Sequence, residues 1–431
     1  MSGWRLILAL AGSVLAGNLG AAESAPSLTL EAVLAQADAP HPDLDLARAQ
    51  QAGARAEQEF AASLDDFRVN LEGSLRSGRN ALYNDDRFHS DNQARLNARK
   101  TLFDAGRRES GLAAARFDLS ARDLQLLDTR SQRRLTLMAR FFDALLAEMQ
   151  YAADTEYMAA AYVAWDNARD RLAQGQMAQW ELAELEARYV DSLARRNDVR
   201  RKLRDKRMQL AVALNRPQTV QEDLVDPKLA GNNRLLPELA PLQDTLLARN
   251  PRLLAQRQLL NGARNRIEGG RADNRPSLEF EAEAAAWTRE ATTRDDLRAG
   301  LNFVWPLWQG GRVDARMARE QARFQELQAQ HEKLQLELRQ SLADTWEEIQ
   351  YLRDSERRNS DVNAAWRDLA LEKARAEYEV ELKTNLGTSM AETQTARLRQ
   401  RAVEYRLALA LARLEALLGT PLDVVKVEEK K

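Results

Sequence analysis

The chain has 431 residues, of which 44% are hydrophobic and 30% charged, and its 63 basic and 65 acidic residues leave a formal net charge of -2. A nearly neutral chain gives no electrostatic reason to expect nucleic acid as a partner. Cysteine is absent, which excludes disulfides, thiolate metal sites, a catalytic thiol and a lipid-modified cysteine. Stability must therefore come from packing or from assembly.

The first 22 residues have the features of a secretory signal peptide. One basic residue, Arg5, precedes an apolar stretch from Leu6 to about Ala16, and small residues end the segment at Ala22. We expect cleavage after Ala22; an uncleaved N-terminal anchor is the alternative. No later stretch approaches about 18 consecutive apolar residues, so we expect any membrane-embedded part of the mature chain to consist of strands.

Three short motifs occur twice, in the same order and at similar spacing. His-Pro-Asp-Leu at 41–44 returns as Asn-Pro-Arg-Leu at 250–253, Leu-Phe-Asp-Ala-Gly-Arg at 102–107 returns as Leu-Trp-Gln-Gly-Gly-Arg at 307–312, and Leu-Asn-Arg-Pro at 214–217 returns as Leu-Gly-Thr-Pro at 418–421. A period this long indicates one duplicated half-protein rather than a solenoid. The predicted parts are a first repeat at 23–217, a linker at 218–237, a second repeat at 238–421 and a tail at 422–431.

The first repeat starts with an amphipathic stretch at 28–64 that predicts a short helix. Two segments with a period of two follow, at 68–76 and 93–101, and predict strands. Leu71 in the first strand and Leu96 in the second lie on the apolar side of this alternation. The loop between the strands is polar, which predicts a hairpin.

The segment 107–214 predicts a hairpin of very long helices. It contains no proline, and Gly111 and Gly175 are its only glycines, so the strongest helix breakers are nearly missing. The outgoing helix at 108–172 would extend about 100 Å at 1.5 Å per residue. The returning helix at 179–214 is about half as long, so two shorter helices placed end to end would match one long helix.

The second repeat has the same predicted order. A short helix precedes strands at 277–286 and 297–305, and a helical hairpin follows at 312–418, where Gly387 is the only glycine. Apolar residues in the hairpins recur at steps of three and four, which is typical of narrow coiled-coil seams. Leu407, Leu411, Leu414 and Leu418 are one such series.

The four predicted strands have about nine to eleven residues each, the length that crosses a bilayer at a tilt. Their predicted lipid-facing residues are Leu71, Leu96, Phe280, Leu301 and Phe303. Aromatic residues near the strand ends, where an aromatic girdle would lie, are Phe103, Trp287, Trp305 and Trp308. The alternative is a water-exposed antiparallel sheet whose apolar face packs on helices as ordinary core.

Four strands cannot form a membrane barrel alone, because lipid cannot satisfy their open edges and the smallest membrane barrels need about eight strands. If the strands are membrane-embedded, the chain must oligomerise, and a trimer with four strands per protomer would give a twelve-stranded barrel. The same operation would close the long helices into an α-barrel continuous with it. The predicted fold class is therefore mainly α with a small β part.

At this point the residues match a known family: the chain resembles the TolC-type outer membrane efflux proteins over nearly all of the sequence after the signal peptide. The resemblance rests on the duplication, the proline endings at Pro217 and Pro421, the strand pairs before 102–107 and 307–312, and the helix turns around Gly175 and Tyr378. It implies a homotrimeric duct in the outer membrane of a Gram-negative bacterium, extending into the periplasm. It also implies that 218–237, together with the tail, forms a belt around the tube.

The same resemblance implies a function and partners. The duct would serve a tripartite efflux or type I secretion system as a passive channel without a cofactor. Its partners would be a periplasmic adaptor (membrane fusion) protein, an inner-membrane transporter of RND or ABC type, and outer membrane lipid. The turn residues Gly175, Met177, Glu381 and Gly387 would form the helix tips that dock the adaptor.

The resemblance further implies a gate at the periplasmic end, where contacts between inner and outer coiled coils latch the family's ducts shut. It places the acidic member of the latch on Glu181, the tyrosine on Tyr378 and the basic member on Lys383. A carboxylate can accept hydrogen bonds from a phenol and an ammonium together. The alternative is that these are ordinary solvated residues on helix surfaces.

The second half departs from the family pattern at its tip. The family's constricting carboxylates would fall on Gly387 and Met390, neither of which is acidic, and Glu381 replaces the turn glycine. The nearest substitutes are Glu181 and Glu184, three residues apart on one predicted helix face.

Two other classes of function are alternatives to the duct. The histidines His41, His89 and His331 are far apart without metal-spaced partners, and no phosphate-binding loop or nucleophile elbow is present, so we predict that the protein is not an enzyme. An exported soluble coiled-coil tether would share the helices and the signal peptide. It would not need the apolar alternation or the aromatic strand ends.

Overall fold

The structure is a computed structural model, and it describes residues 27–79, 88–216, 218, 220, 222–288, 295–380 and 385–424. The predicted signal peptide, Pro217, Glu381 and Lys383 lie outside the described residues. Long α-helices dominate the described part, and a small antiparallel sheet connects to their ends.

The first half of the chain contains short elements, a strand pair and a helical hairpin. In chain order they are β1 (Ser27–Leu28), α1 (Leu30–Ala35), α2 (Pro42–Ser63), β2 (Arg68–Ser74), β3 (Ser77–Gly78), β4 (His89–Ser90), β5 (Gln93–Phe103), α3 (Arg107–Ala173) and α4 (Gln179–Ala213).

The helix predicted at 28–64 is interrupted, which corrects the sequence-based expectation. Residues Gln36–Asp38 form a 3₁₀ turn between α1 and α2. Pro42 occupies the first turn of α2, where the missing N–H breaks no helical hydrogen bond. The ring nitrogen Nδ1 of His41 caps the helix by accepting from the N–H of Asp43 at 3.2 Å.

The first hairpin consists of α3, with 67 residues, and α4, with 35. At 1.5 Å per residue α3 is about 100 Å long. Gly175 lies in the turn with a φ of 71°, a left-handed conformation that favours glycine after a helix end. Met177 lies in the same turn, just before α4.

The second half follows a linker that contains β6 (Asp223–Leu224), which pairs in parallel with β1. Its other elements are α5 (Leu239–Arg249), α6 (Pro251–Arg271), β7 (Ser277–Trp287), β8 (Leu297–Val304), α7 (Arg312–Tyr351), a π-helix (Leu352–Arg357), α8 (Arg358–Glu379) and α9 (Leu386–Leu418). Helix α7, the π-helix and α8 follow one another without a break, and we call residues 312–379 the second rod. The first rod is α3.

A buried asparagine joins the end of α9 to the start of α6. The side-chain oxygen of Asn250 accepts from the N–H of Leu253 at 3.0 Å, and its Nδ2 donates to the carbonyl of Leu417 at 2.8 Å. Gly419 follows α9 with a φ of 68°, and a Cβ there would lie 2.6 Å from the carbonyl oxygen of Arg249. Only glycine therefore fits this crossing without displacement.

The rods determine which helices are neighbours. Near the sheet the contact order is α2, α3, α6, α7, and farther from the sheet it is α4, α3, α9, α8. α3 therefore lies inside both rows, whereas α2, α4 and the second rod lie at the edges. Among the described residues, no helix combines the length and the apolar character needed to cross a membrane.

Two buried clusters stabilise the helices. The first lies between α3, α4 and α9 and includes Leu137, Phe141, Phe142, Leu145, Leu210 and Tyr405. The second lies between α5, α6, the second rod and α9 and includes Leu242, Leu246, Leu342, Ile349, Leu407, Leu411, Leu414 and Leu418. Phe142 of α3 and Tyr405 of α9 stack with ring centroids 4.5 Å apart, which ties the two hairpins together.

Candidate membrane-embedded sheet and channel faces

Among the described residues, β2, β5, β7 and β8 form one four-stranded antiparallel sheet in that order. The strands connect directly to helices, since β2 follows α2 and β5 leads into α3. β2 and β8 have no neighbouring strand on their outer sides within this part of the chain. The sheet therefore has two open edges.

The cross-strand register separates residue types onto two faces. Val69 lies opposite Ala98, which lies opposite Ala282, so one row across the sheet is apolar. The adjacent row contains Arg99 and Glu281, which lie opposite each other. Because side chains alternate between faces along a strand, one face of the sheet is apolar and the other charged.

The apolar face is exposed. The exposed fractions are 77% for Leu71, 77% for Leu297, 64% for Leu301 and 62% for Phe303. An apolar sheet face in a soluble protein is normally buried against a core, and a large exposed apolar patch marks an interaction with a protein or a membrane. The arrangement in which helices cover this face as core does not occur among the described residues.

The five residues predicted to face lipid share this face. Leu71 and Leu96 lie opposite each other in β2 and β5, and Phe280 and Leu301 lie opposite each other in β7 and β8. Phe303 lies two residues further along β8, opposite Leu278.

The opposite face carries ion pairs between strands. Arg99 Nη2 lies 2.9 Å from Glu281 Oε1, and Arg298 Nη2 lies 3.2 Å from Glu283 Oε2. The acidic members of these pairs are the more sheltered ones, since the side chain of Glu283 is 13% exposed and that of Glu281 is 28% exposed.

Aromatic side chains collect where the sheet meets the helices. Phe103 ends β5, Trp305 follows β8 and Trp308 lies three residues later, and all three are exposed. Sequence reasoning missed Phe67, which contacts Phe280 edge-on at 6.4 Å between ring centroids. The alternation of Phe67 with Val69 and Leu71 was the signal that could have identified it.

A single lysine lies on the apolar face at the same end. Lys100 lies opposite Phe280, and its Nζ is 5.1 Å from the ring centroid of Phe67. A lysine can bury its stem along apolar surface while its ammonium reaches water or a polar headgroup. The helix-proximal end of the apolar face thus combines aromatic rings with one cation.

Trp287, the fourth residue predicted for the girdle, lies apart from the other three. It lies at the opposite end of β7, opposite Gln93, and it is on the same face as Glu281 and Glu283. The guanidinium carbon of Arg95 lies 5.1 Å from its ring centroid. The period of two places odd-numbered residues of β7 on the charged face, and this could be read from the sequence.

At the far ends of the helical hairpins, Glu181 has a local partner. One carboxylate oxygen accepts from the backbone N–H of Ala178 at 2.9 Å, which caps the start of α4. Glu184 pairs with Arg188 one turn later on the same helix. Tyr378 is exposed in the last turn of α8. The structure does not describe the predicted third member of the latch, Lys383.

The tip residues occupy different environments. Gly387 lies in the first turn of α9, and a Cβ there would lie 3.0 Å from Cβ of Ala160 on α3. The glycine therefore permits a close approach of α9 to the first rod. Met390, one turn later, is partly exposed.

The two edge helices carry exposed apolar stripes. The α4 stripe, at steps of three and four, consists of Trp180, Ala183, Ala187, Val190 and Ala194. The α8 stripe, at the same steps, consists of Val362, Trp366 and Leu369. Such spacing places each set on one side of its helix, as in a helix that packs against a partner helix.

The same combination of rods and sheet occurs in known proteins. A profile of the outer membrane efflux protein family matches residues 242–420. The match points to the TolC-type outer membrane efflux protein family. That family consists of outer-membrane channels rather than enzymes.

Individual relatives agree with this assignment. The chain is 24% identical to the outer membrane efflux protein BepC of Brucella suis biovar 1 over 396 residues, covering 88% of this chain and 82% of BepC. It is 27% identical to the proteases secretion protein PrtF of Dickeya chrysanthemi, covering 58% of this chain and 56% of PrtF. Its fold matches a CusC structure with a TM-score of 0.75 at 18% identity, covering 91% of this chain and 92% of the other.

Proposed function

We propose that the chain is the outer-membrane exit duct of a tripartite efflux or type I secretion system, a passive homotrimeric channel that extends into the periplasm. The observation that carries the proposal is the exposed apolar face of a sheet whose other face is charged and whose two edges are open. The names of BepC and PrtF, an efflux protein and a protease secretion protein, support the same role.

The sheet edges support three copies in one barrel. Unpaired backbone groups cannot remain in lipid, so β2 and β8 need partners. β2 runs away from the helices and β8 runs back toward them, so β8 of one copy can pair antiparallel with β2 of the next. Three copies then supply twelve strands, with the apolar face toward lipid and the charged face toward a water-filled lumen.

The helix edges support the same operation. Inside one copy, α3 packs against α6 and α9. If the chain is duplicated, the second rod corresponds to α3, α2 to α6, and α4 to α9. The second rod of one copy then packs against α2 and α4 of the next, which would cover the α4 and α8 stripes.

If the chain is duplicated, one contact between copies can be inferred. The close contact within one copy joins Ala160 and Gly387. The buried Asp154 and Ala168 of α3 match the buried Ser360 and Ala374 of α8, and this match makes Trp366 the counterpart of Ala160. The offset between the two proline endings makes Ala183 the counterpart of Gly387.

Disulfide formation tests this contact cleanly because the chain has no cysteine. We expect the Ala183→Cys, Trp366→Cys double variant to give a covalent trimer after oxidation in membranes. The matched control is Ala183→Cys with Glu372→Cys, on another side of α8. If the protein is a trimer by mass but the double variant does not crosslink, this helix pairing is wrong while the proposed trimer stands.

A second measurement tests the duct itself. We expect the protein to leave the outer membrane only in detergent and to migrate as a heat-modifiable trimer on gels. Quantitative release by osmotic shock of a single-subunit species would instead favour the soluble tether.

We further propose that Glu181, Glu184, Tyr378 and Lys383 form the periplasmic gate. Each exposed pair contributes about 0 to 1 kcal/mol, so only the set repeated in three copies could hold the duct closed. Glu181→Ala or Lys383→Ala should raise the conductance of the reconstituted trimer.

The role of Glu181 as a helix cap requires a matched variant. Glu181→Gln keeps an oxygen that can accept from Ala178 but removes the charge. A latch predicts that both substitutions raise conductance, whereas a capping role alone predicts that only the alanine variant changes. Unchanged closed-state conductance in a Glu181→Ala, Lys383→Ala variant would remove the latch.

The tips at Gly175, Met177, Glu381 and Gly387 are proposed to dock the periplasmic adaptor that links the duct to an RND or ABC transporter. The exposed Trp180 beside the first tip supports a protein contact there. Cysteine-specific crosslinking from Met177→Cys, followed by identification of the captured protein, tests the docking and names the pump.

A further inference from the structure

A groove of about 900 Å³ lies between α3 and the junction of α6 with α9, and residues of the linker line its rim. We call it the junction groove. Its apolar floor includes Leu124, Leu127, Leu135, Met138, Leu254 and Leu411. The volume is within the range of sites that enclose a small organic ligand, roughly 300 to 1,000 Å³.

The charged residues around this floor are mainly basic. Among the described residues that line the groove, five are basic and two are acidic. Both acids are already paired: Asp38 Oδ1 lies 3.6 Å from Arg130 Nε, and Glu415 Oε1 lies 2.7 Å from Arg234 Nη1.

The other three cations, Arg134, Lys228 and Arg249, have no ion pair within the described part of the chain. They come from α3, from the linker and from the end of α5, so three separate segments bring positive charge to one groove. The whole chain has a net charge of -2, so this local excess does not reflect overall composition.

The groove is held open by a rigid junction. Asn250 ties the start of α6 to Leu417 near the end of α9, and Gly419 allows α9 to end against the backbone of Arg249. Arg234, on the rim, is fixed by its pair with Glu415 and by a bond from its Nε to the carbonyl of Gly231 at 3.2 Å. The site is therefore preformed rather than assembled by the ligand.

We propose that the junction groove binds an anionic amphiphile, a molecule with one alkyl or acyl chain and a carboxylate or phosphate headgroup. The chain would lie on the apolar floor, and the headgroup would contact Arg134, Lys228 and Arg249. A neutral amphiphile would leave these charges uncompensated, and a small inorganic anion would leave the floor exposed. The inference concerns one copy of the chain and does not depend on the trimer.

Dodecyl phosphate is the probe that tests this proposal. The full mature protein, held in a nonionic amphipol so that no micelle absorbs the probe, is titrated by calorimetry. Inorganic phosphate supplies the headgroup alone, dodecyl maltoside supplies a neutral headgroup, and dodecyltrimethylammonium reverses the charge. We expect saturable binding of dodecyl phosphate and at least tenfold weaker binding of the other three.

A matched pair of variants locates the site. The first triple variant should weaken the binding of dodecyl phosphate at least tenfold; it combines Arg134→Gln, Lys228→Gln and Arg249→Gln. Arg200→Gln, Lys333→Gln, Arg339→Gln makes the same change of net charge outside the groove and should change binding less than twofold. Leu127→Gln, at an exposed floor position, should weaken the binding of dodecyl phosphate without changing how that affinity depends on salt concentration.

The outcomes that overturn the proposal are specific. Equal affinity in the two triple variants, or equal affinity for inorganic phosphate and dodecyl phosphate, would remove the site. If the groove triple variant does not fold, Lys228→Gln alone, at an exposed linker position, must still weaken binding for the proposal to stand.

Discussion

The two rods of this molecule have nearly the same length but differ at mid-length. The first rod, α3, is regular over all 67 residues, whereas the second is interrupted by the π-helix Leu352–Arg357. No proline or glycine occurs in that segment, so the usual causes of helix irregularity are missing. A π-helix commonly accommodates one additional residue. This fits the larger difference in residue number between corresponding positions of the two rods after this point.

The π-helix makes direct hydrogen bonds to the linker. Arg353 Nη2 donates to the carbonyls of Asn232 at 3.1 Å and Arg234 at 2.6 Å, and Arg357 Nη1 donates to Asn233 Oδ1 at 2.8 Å. Arg357 Nε also lies 2.6 Å from Glu404 on α9. The irregular turn thus fixes the linker to the second rod and to α9.

The first rod holds its own crossing segment from a regular helix. Arg133 donates to the carbonyl of Ala37 at 2.8 Å and more weakly to that of Gln36 at 3.5 Å. Burial lowers the pKa of both Arg133 and Arg353, so each guanidinium is in a sheltered position. The chain thus fastens a crossing segment to a rod in two ways, from a regular α-helix and from a π-helix.

Matched single-residue deletions should have the largest effect on the two rods. Deleting the exposed Ala152 from α3 should turn every later residue by about 100° and shift it by about 1.5 Å, which exposes the buried Ala153 and Ala168. Deleting the exposed Ser355 should only convert the π-helix into an α-helix and keep α8 in phase.

We therefore expect the Ala152 deletion to abolish folded, heat-modifiable protein in the outer membrane and the Ser355 deletion to retain it. Quantitative immunoblotting of membranes and circular dichroism melts measure both. Equal loss in the two variants would contradict the view that the π-helix accommodates one additional residue.

Replacing the two arginines should cost less free energy of unfolding than the deletion in α3. Arg353→Met leaves the carbonyls of the buried Asn232 and of Arg234 without this donor. Arg133→Met leaves the carbonyl of Ala37 without its donor. Each variant should lose about 1–3 kcal/mol of unfolding free energy, because an unsatisfied buried acceptor costs its desolvation. Denaturant midpoints measure the loss, and the exposed Arg358→Met is the control, expected within about 0.5 kcal/mol of the parent.

Tyr405, which stacks on Phe142 between the hairpins, should give the smallest effect at neutral pH. Its hydroxyl donates to Asp226 Oδ1 at 2.7 Å, and Tyr405→Phe should cost about 1 kcal/mol. Burial, together with the bond to Asp226, raises the pKa of Tyr405 above its ordinary value of about 10.

The direction of the pH effect follows from proton binding. Above pH 10 the unfolded chain releases the Tyr405 proton while the folded chain retains it, so stability falls as pH rises. Melts of the parent protein at pH 8, 10 and 11 should show this fall, and the Tyr405→Phe variant should show a shallower one. Parallel pH profiles would exclude Tyr405 as the cause.

The long elements could be predicted from the sequence because breakers bound them. α3 ends beside Gly175, and α9 ends before Gly419, both with left-handed φ. The alternation of Leu71 and Leu301 likewise predicted the two faces of the sheet, because a period of two is a local property of the chain.

The features that escaped prediction depend on contacts between distant segments. The π-helix carries no local signal, since it depends on linker carbonyls more than a hundred residues away. The core of α3 includes Leu137, Phe141 and Phe142 and is wider than the narrow seam predicted for the hairpins, because α3 packs on several sides. The partner of Glu181 was missed because a backbone N–H leaves no mark in the sequence.

The open edges and exposed leucines of the sheet have a consequence for how the protein is made. If the proposed trimer forms in the outer membrane, a newly exported copy would expose unpaired strand edges to an aqueous compartment before it assembles, and such edges template aggregation. The proposal therefore implies either a chaperone that holds the chain during transit or assembly that coincides with insertion into lipid. The sheet would then be the part of the newly made chain that most needs protection.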